Sequence, residues 1–175
     1  IRKAKDYANM KFTHRLVVLL CCMAAYLTHY GAKVQFIHNA LSENVDIYID
    51  DRLQFQNFIF RQGTPFIDFP AGYWTVKVAP ANSHSVEEST ANFDFYVDSA
   101  STYIVMLGGE TNAYELFTHE AHSLWSDADQ HAGMTFFHGA IGVPQINLSS
   151  QEQNVVEGLR YGEFTNFLNI PSKEF

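Results

Sequence analysis

The sequence predicts an all-β protein, an antiparallel β-sandwich followed by an incomplete second copy of the same module. Three observations predict it: short runs in which apolar and polar residues alternate, turn-forming residues between those runs, and a degraded internal repeat. Period-2 alternation is typical of strands with one buried face, and turns about every 8–12 residues favour a sandwich or barrel. No amphipathic helical pattern interrupts residues 33–118.

The N-terminal residues predict export. Residues 1–9 precede the first credible start methionine and are interpreted as an upstream extension or a scar. Residues 10–32 join basic residues to an apolar run and end at the small residue Ala32, the pattern of a secretory signal peptide. The roughly 12 apolar residues span about 18 Å as a helix, too short for a bilayer core of about 30 Å; a buried helix or a membrane anchor is the alternative. We expect an exported protein, periplasmic, cell-surface or extracellular, without stable membrane insertion after signal removal.

The chain after residue 32 is acidic and lacks cysteine. It has 6 Lys or Arg against 18 Asp or Glu, a formal charge of −12, and both Cys21 and Cys22 lie in the predicted signal peptide. Nucleic acids and anionic membranes require a basic face, so neither is expected as a partner. Because no disulfide is available, stability must come from the apolar core.

Eight strands are predicted in the first module, which we place at residues 33–118. In order they occupy residues 34–38, 45–49, 53–60, 64–69, 73–79, 93–97, 103–107 and 114–117. Turn residues separate them at 50–52, 70–72 and 108–112, and a polar loop occupies 80–89. The spacing is typical of an immunoglobulin- or transthyretin-like sandwich.

The predicted core of this module is aromatic and aliphatic. Its expected members are Phe36, Ile47, Phe60, Phe66, Trp74, Phe95, Ile104 and Phe117. Burying each such side chain contributes about 1.5–3 kcal/mol, so a module of this size can fold without a disulfide.

The internal repeat relates residues 36–72 to residues 136–172. His38, Ala40, Thr64, Phe66 and Pro70 recur as His138, Ala140, Thr165, Phe167 and Pro171, and we interpret all ten as structural. Residues 119–132 are then a linker and 133–175 a truncated second module. Half a sandwich leaves strand edges unpaired, so we expect either that the chain is cut short at residue 175 or that other strands complete the module.

Four motifs of the first module resemble those of a widespread family of exported bacterial proteins, known as domain of unknown function 4397. They are His-Asn-Ala at 38–40, Val-Asp-Ile-Tyr-Ile-Asp at 45–50, Pro-Ala-Gly at 70–72 and Tyr-Trp-Thr-Val-Lys-Val at 73–78. The resemblance covers 33–118 well and 133–172 weakly. Asp51 replaces the family's turn glycine, and the second copy has Gln145 where the strand aspartate is expected. The resemblance implies a β-sandwich, single or in tandem, in secreted and cell-surface proteins, and it implies no catalytic residues.

The densest group of possible metal ligands lies in the predicted linker. It consists of His119, His122, Asp127, Asp129 and His131. Imidazoles and carboxylates suit zinc or copper, and an acidic run suits calcium. The two leading histidines are separated by two residues rather than three, so the spacing matches no defined zinc motif, and a solvated linker is the alternative.

The sequence carries no catalytic signature and implies no cofactor. It has no serine in a Gly-x-Ser-x-Gly elbow, no cysteine after residue 32 and no phosphate-binding glycine loop. The leading hypothesis is a structural, adhesive or ligand-binding module in a tandem array, whose partner is a cell-surface glycan or a protein. Exposed Tyr48, Tyr73 or Tyr96 on one sheet face would favour a carbohydrate. The alternatives are a metal-binding protein that uses the 119–131 cluster and a hydrolase with carboxylates paired in space.

Overall fold

The computed structural model of the protein describes residues 31–121, 131–150 and 153–171. Within these residues the protein is all-β: it has twelve strands, one short 3₁₀ turn and no α-helix. The all-β prediction is therefore confirmed. The predicted signal peptide lies outside the described residues except for its last two positions, which belong to the first strand.

Two four-stranded sheets form the larger part of the structure. Sheet one has the order β4 (Ile67–Pro70), β1 (Gly31–His38), β7 (Thr102–Glu110), β8 (Ala113–Glu120). Sheet two has the order β3 (Arg52–Phe58), β2 (Val45–Ile49), β5 (Gly72–Pro80), β6 (Ala91–Val97). Neighbouring strands are antiparallel except β1 and β7, which run parallel with Val34 opposite Tyr103. The 3₁₀ turn, Val86–Glu88, lies between β5 and β6.

The two sheets share one apolar core. The Phe36 ring on sheet one lies 5.3 Å from the Phe55 ring and 6.3 Å from the Phe95 ring on sheet two, measured between ring centroids. Val34 and Val78 are fully buried in the same cluster. Because two sheets face each other across side chains from both, the architecture is consistent with the predicted β-sandwich.

Four of the eight predicted core residues are not in this core. Ile104 and Phe117 face the outer side of sheet one, because the inward positions of β7 and β8 are their neighbours in the alternation, such as Val105 and Leu116. Both strands have apolar residues on both faces, so periodicity alone could not assign the inner one. Phe60 is half-buried and Phe66 is 46% exposed. Phe36, Ile47, Trp74 and Phe95 are in or against the core as expected.

The turn between β2 and β3 explains how the chain does without the expected glycine. Asp50 and Asp51 have φ angles of 47° and 61°, the left-handed region that aspartate tolerates better than most residues. The Asp50 carboxylate accepts a hydrogen bond from the Thr75 amide at 3.0 Å, and Asp51 forms an ion pair with Lys77 at 2.6 Å. Both aspartates are therefore tied to β5, which fixes the hairpin.

The remaining strands form two two-stranded sheets. One pairs β9 (His131–Met134) with β12 (Leu168–Pro171), and the other pairs β10 (Ile146–Ser150) with β11 (Gln153–Leu159). Strand β8 continues two residues past the predicted module end at 118, and β9 begins inside the predicted linker. In the part of the chain that the structure describes, no helix is long and apolar enough to cross a membrane.

Candidate functional site

The outer side of sheet two presents two exposed tyrosines. Tyr73 on β5 stands directly opposite Tyr96 on β6, and their ring centroids are 4.7 Å apart with an interplanar angle of 50°. Tyr73 is 82% exposed and Tyr96 48% exposed. Successive strand residues alternate between faces, so the outward positions two residues further along belong to the same surface. We call this surface the tyrosine face: it consists of Tyr73, Thr75, Lys77, Asn92, Asp94 and Tyr96.

Polar groups surround the two rings. The Thr75 hydroxyl donates a hydrogen bond of 3.1 Å to the Asp94 carboxylate. The Asp98 carboxylate, followed by partial burial and by Tyr73, raises the pKa of Tyr96. The Tyr96 phenol therefore stays neutral over the physiological range and can both donate and accept a hydrogen bond.

A shallow cavity of about 250 Å³ lies at the far end of the tyrosine face. It is lined by Lys77, Val86, Ser89, Thr90, Ala91 and Asn92. Tyr73 and Lys77 are four residues apart on one strand, a separation of about 13 Å at roughly 3.3 Å per residue. The face and the cavity thus form one surface that joins exposed rings to hydrogen-bonding groups.

Tyr48 does not belong to this exposed surface. It is only 5% exposed, and its hydroxyl hydrogen-bonds to the Ser83 hydroxyl at 2.8 Å. The expectation that Tyr48 could serve with Tyr73 and Tyr96 is therefore wrong. The loop after β5, which carries Ser83, buries the Tyr48 side chain. The alternation of apolar and polar residues along β2 does not reveal burial by a distant loop.

Asp46 is a buried carboxylate that the sequence did not single out. It is fully buried and accepts hydrogen bonds from the Asn57 amide (2.7 Å), the Ser83 amide (2.9 Å) and the Ser83 hydroxyl (2.8 Å). Although burial opposes ionisation, these hydrogen bonds hold the pKa of Asp46 below its usual value. The carboxylate connects β2 to the bulge in β3 and to the loop after β5, so its role is structural.

The two histidines of the repeat are internal. His38 is fully buried and His138 is 2% exposed. His38 Nε2 lies 3.3 Å from the Glu43 carbonyl oxygen, and His138 Nε2 lies 3.1 Å from the Pro144 carbonyl oxygen. The His38 imidazole therefore connects the end of β1 to the loop that follows it, and the His138 imidazole connects the segment after β9 to the loop at Pro144. Burial, partly offset by the Glu43 hydrogen bond, lowers the pKa of His38.

The lowered pKa of His38 predicts a loss of stability on acidification. The unfolded chain takes up a proton near pH 6.5 whereas folded His38 resists it, so the free energy of unfolding falls as the pH drops below about 6.5. We expect His38→Gln to show a smaller fall than the wild type between pH 7.5 and 5.5, measured by urea unfolding. The control is His84→Gln, since His84 is exposed. An unchanged pH dependence in His38→Gln would contradict the assignment.

The other residues of the repeat lie close to these histidines or at strand ends. The Thr64 and Thr165 hydroxyls accept hydrogen bonds from the Phe36 and Phe136 amides, at 3.0 and 2.9 Å. Ala40 is buried, Ala140 is exposed, and Pro70 and Pro171 stand opposite Gly31 and His131. Phe66 is exposed, whereas Phe167 contacts the His119 ring.

The predicted metal cluster is described only in part. His119 lies on β8, where its ring stacks on Phe164 at 4.7 Å with an interplanar angle of 10°. His131 begins β9, and His122, Asp127 and Asp129 lie outside the described residues. Within the described ranges, no three His, Cys, Asp or Glu side chains are placed to hold a metal ion.

The outer side of sheet one contacts the second half of the chain through aromatic side chains. The Phe117 ring lies 5.2 Å from Phe137 and 5.8 Å from Tyr161. His119 contacts Phe164 and, at 5.9 Å, Phe167. We call these six residues the aromatic junction. The four junction residues from the second half cover the outer side of β8. This contact explains why the outer side of β8 carries an apolar residue, Phe117.

Small residues allow this contact to be close. A Cβ atom at Gly162 would lie 2.7 Å from Phe117 Cε1, and one at Gly139 would lie 2.3 Å from Asn39 Nδ2. The two halves therefore meet at van der Waals distance.

Burial, followed by the Glu115 carboxylate, raises the pKa of Tyr161.

A family model described as Domain of unknown function (DUF4397) matches residues 32–149. The match covers β1 to β8, the aromatic junction in part, and the start of the second half. A comparison with curated proteins gives no match.

Proposed function

The chain belongs to the DUF4397 family, and from that premise we propose that it is an exported β-sandwich protein of the cell surface or periplasm, with tandem modules. Its role is structural, adhesive or ligand-binding, and it is not an enzyme. The observation that carries the proposal is the aromatic junction, through which the two halves of the chain pack on each other. The acidic composition after residue 32 supports a solvated extracytoplasmic surface and disfavours nucleic acid as partner.

Matching hydrogen bonds support the tandem relation. The Arg61 and Gly162 amides donate to the His38 and His138 carbonyls, at 2.7 and 2.8 Å. The Thr64 and Thr165 amides donate to the Phe36 and Phe136 carbonyls, both at 2.9 Å. The β9–β12 pairing also has the register of β1–β4, with Met134 opposite Leu168 where Val34 is opposite Ile67. These matches support the proposal that the second half is a copy of β1 to β4.

The hydrogen bonds also correct the alignment of the repeat. The Gly158 amide donates to Asn147 Oδ1 at 2.8 Å, as the Asn57 amide donates to Asp46 Oδ1. This match supports Asn147, rather than Gln145, as the counterpart of Asp46. On this alignment the second half has one additional residue in the loop after Ala140. The amino-acid identities alone do not reveal this insertion.

The proposed function requires the junction to be an energetic contact between modules. A double-mutant cycle on the full chain tests this, with His119→Ala, Phe164→Ala and the double variant. Stacked rings contribute about 0.5–1.5 kcal/mol beyond area burial, so we expect a coupling free energy in that range from urea unfolding.

The matched control pairs His119→Ala with Phe66→Ala, because Phe66 is an exposed aromatic outside the junction. That pair should be additive. Additivity of His119→Ala with Phe164→Ala as well would remove the junction as a support for the tandem-module proposal.

A further inference from the structure

The tyrosine face has an unusual composition for the outside of a sheet. Its two large rings expose 82% and 48% of their surface, in contact with each other, while the other side chains of the tyrosine face are polar. A cross-strand aromatic pair stabilises a sheet through the contact of its rings with each other and with neighbouring side chains. Tyr73 covers little, so stabilisation alone does not account for it.

The chemistry of the face selects among possible occupants. A lipid surface or an amphipathic helix needs aliphatic side chains around its anchor, and here the rings are surrounded by Thr75, Asp94 and Asp98. An anionic ligand would be repelled by these carboxylates. The Lys77 ammonium does not offset that repulsion, because it is already paired with Asp51. A neutral ligand with apolar faces and many hydroxyl groups fits both the rings and the acceptors.

We propose that the tyrosine face binds a neutral saccharide chain. The rings of Tyr73 and Tyr96 contact the C–H faces of sugar rings. The Asp94 carboxylate accepts hydrogen bonds from sugar hydroxyls, and the Tyr96 phenol donates and accepts them. The distance of about 13 Å from Tyr73 to Lys77 extends the contact toward the cavity at Asn92, which accommodates the next sugar. This inference rests on the proposed function, since it names the ligand that the surface protein would meet.

Affinity electrophoresis of the full chain tests the inference. The gels contain soluble β-glucan, xylan or galactomannan, with alginate as an anionic polysaccharide of similar hydration. We expect at least one neutral polysaccharide to retard the protein, and alginate not to. Tyr73→Ala and Tyr96→Ala should each weaken retardation about tenfold, as expected when a central aromatic contact is truncated.

Phe66→Ala is the matched control, because Phe66 has an exposure of 46%, close to that of Tyr96, and lies outside the tyrosine face. It should bind as the wild type does. No retardation by any of the three neutral polysaccharides, stronger retardation by alginate, or an equal loss in Phe66→Ala would overturn the inference. If binding fails while the His119–Phe164 coupling persists, the saccharide assignment falls and the tandem-module proposal stands.

Discussion

Replacing Asp46 by alanine is expected to lower the free energy of unfolding by about 3 kcal/mol or more, because each buried donor left without an acceptor costs about 1–3 kcal/mol. The Asn57 amide, the Ser83 amide and the Ser83 hydroxyl all lose their acceptor in this variant. Since small domains have about 5–15 kcal/mol in total, a large fraction of the stability is at stake. Urea unfolding at pH 7 measures the loss.

Two controls isolate the cause. Asp94→Ala removes an exposed carboxylate from the same sheet and should change stability by less than about 0.5 kcal/mol. Asp46→Asn keeps one acceptor oxygen in place, as Asn147 does in the second half, and should cost less than the alanine variant. Asp46 ionises below its usual pKa, so its contribution is present above about pH 4 and is lost as the pH falls further. A cost under about 1 kcal/mol for Asp46→Ala would contradict the network.

The sequence was sufficient for most strands of the first module, because each of these has a local signal. Strand β5 alternates cleanly between Tyr73 and Val78, and the aspartates at 50–51 mark their turn. Such patterns depend on which face of a single strand is buried, which is a local property. The predicted strands at 45–49, 73–79 and 93–97 therefore agree closely with β2, β5 and β6.

The sequence failed where burial comes from a distant segment. Phe117 faces away from the core and is covered by Phe137 and Tyr161, which lie 20 and 44 positions later. Tyr48 is covered by the loop that carries Ser83. In the same way, the aspartate in the Val-Asp-Ile-Tyr-Ile motif reads as a surface residue until Ser83 and Asn57 are placed beside it. Burial of a side chain by residues distant in the sequence leaves no periodic pattern of apolar residues along the strand.

The tyrosine face was predictable in part. The sequence predicts Tyr73 and Tyr96 as candidates for an exposed face, but their pairing depends on the register of β5 with β6. Register is set by the turn geometry and by the buried faces of both strands together, so a one-residue slip would have moved one ring into the core. The structure supplies that register, and with it the neighbours Thr75 and Asp94.

The second large effect is expected from Gly162→Leu, which should separate the two halves of the chain. Gly162 has a φ of +80°, and a Cβ atom there would lie 2.7 Å from the Phe117 ring. Gly142→Leu is the matched control, because Gly142 has a φ of +72° with no atom within 4 Å of its added Cβ. Both variants carry the backbone strain of about 1–2 kcal/mol, so only the collision at the junction distinguishes them.

Small-angle X-ray scattering of these two variants tests the central claim, that the halves form one unit through the aromatic junction. Hydrogen exchange of the β5 amides verifies that the first module stays folded in each. We predict a larger radius of gyration for Gly162→Leu, and a wild-type value for Gly142→Leu. Equal radii for the wild type and both variants, with β5 protected throughout, would contradict the claim.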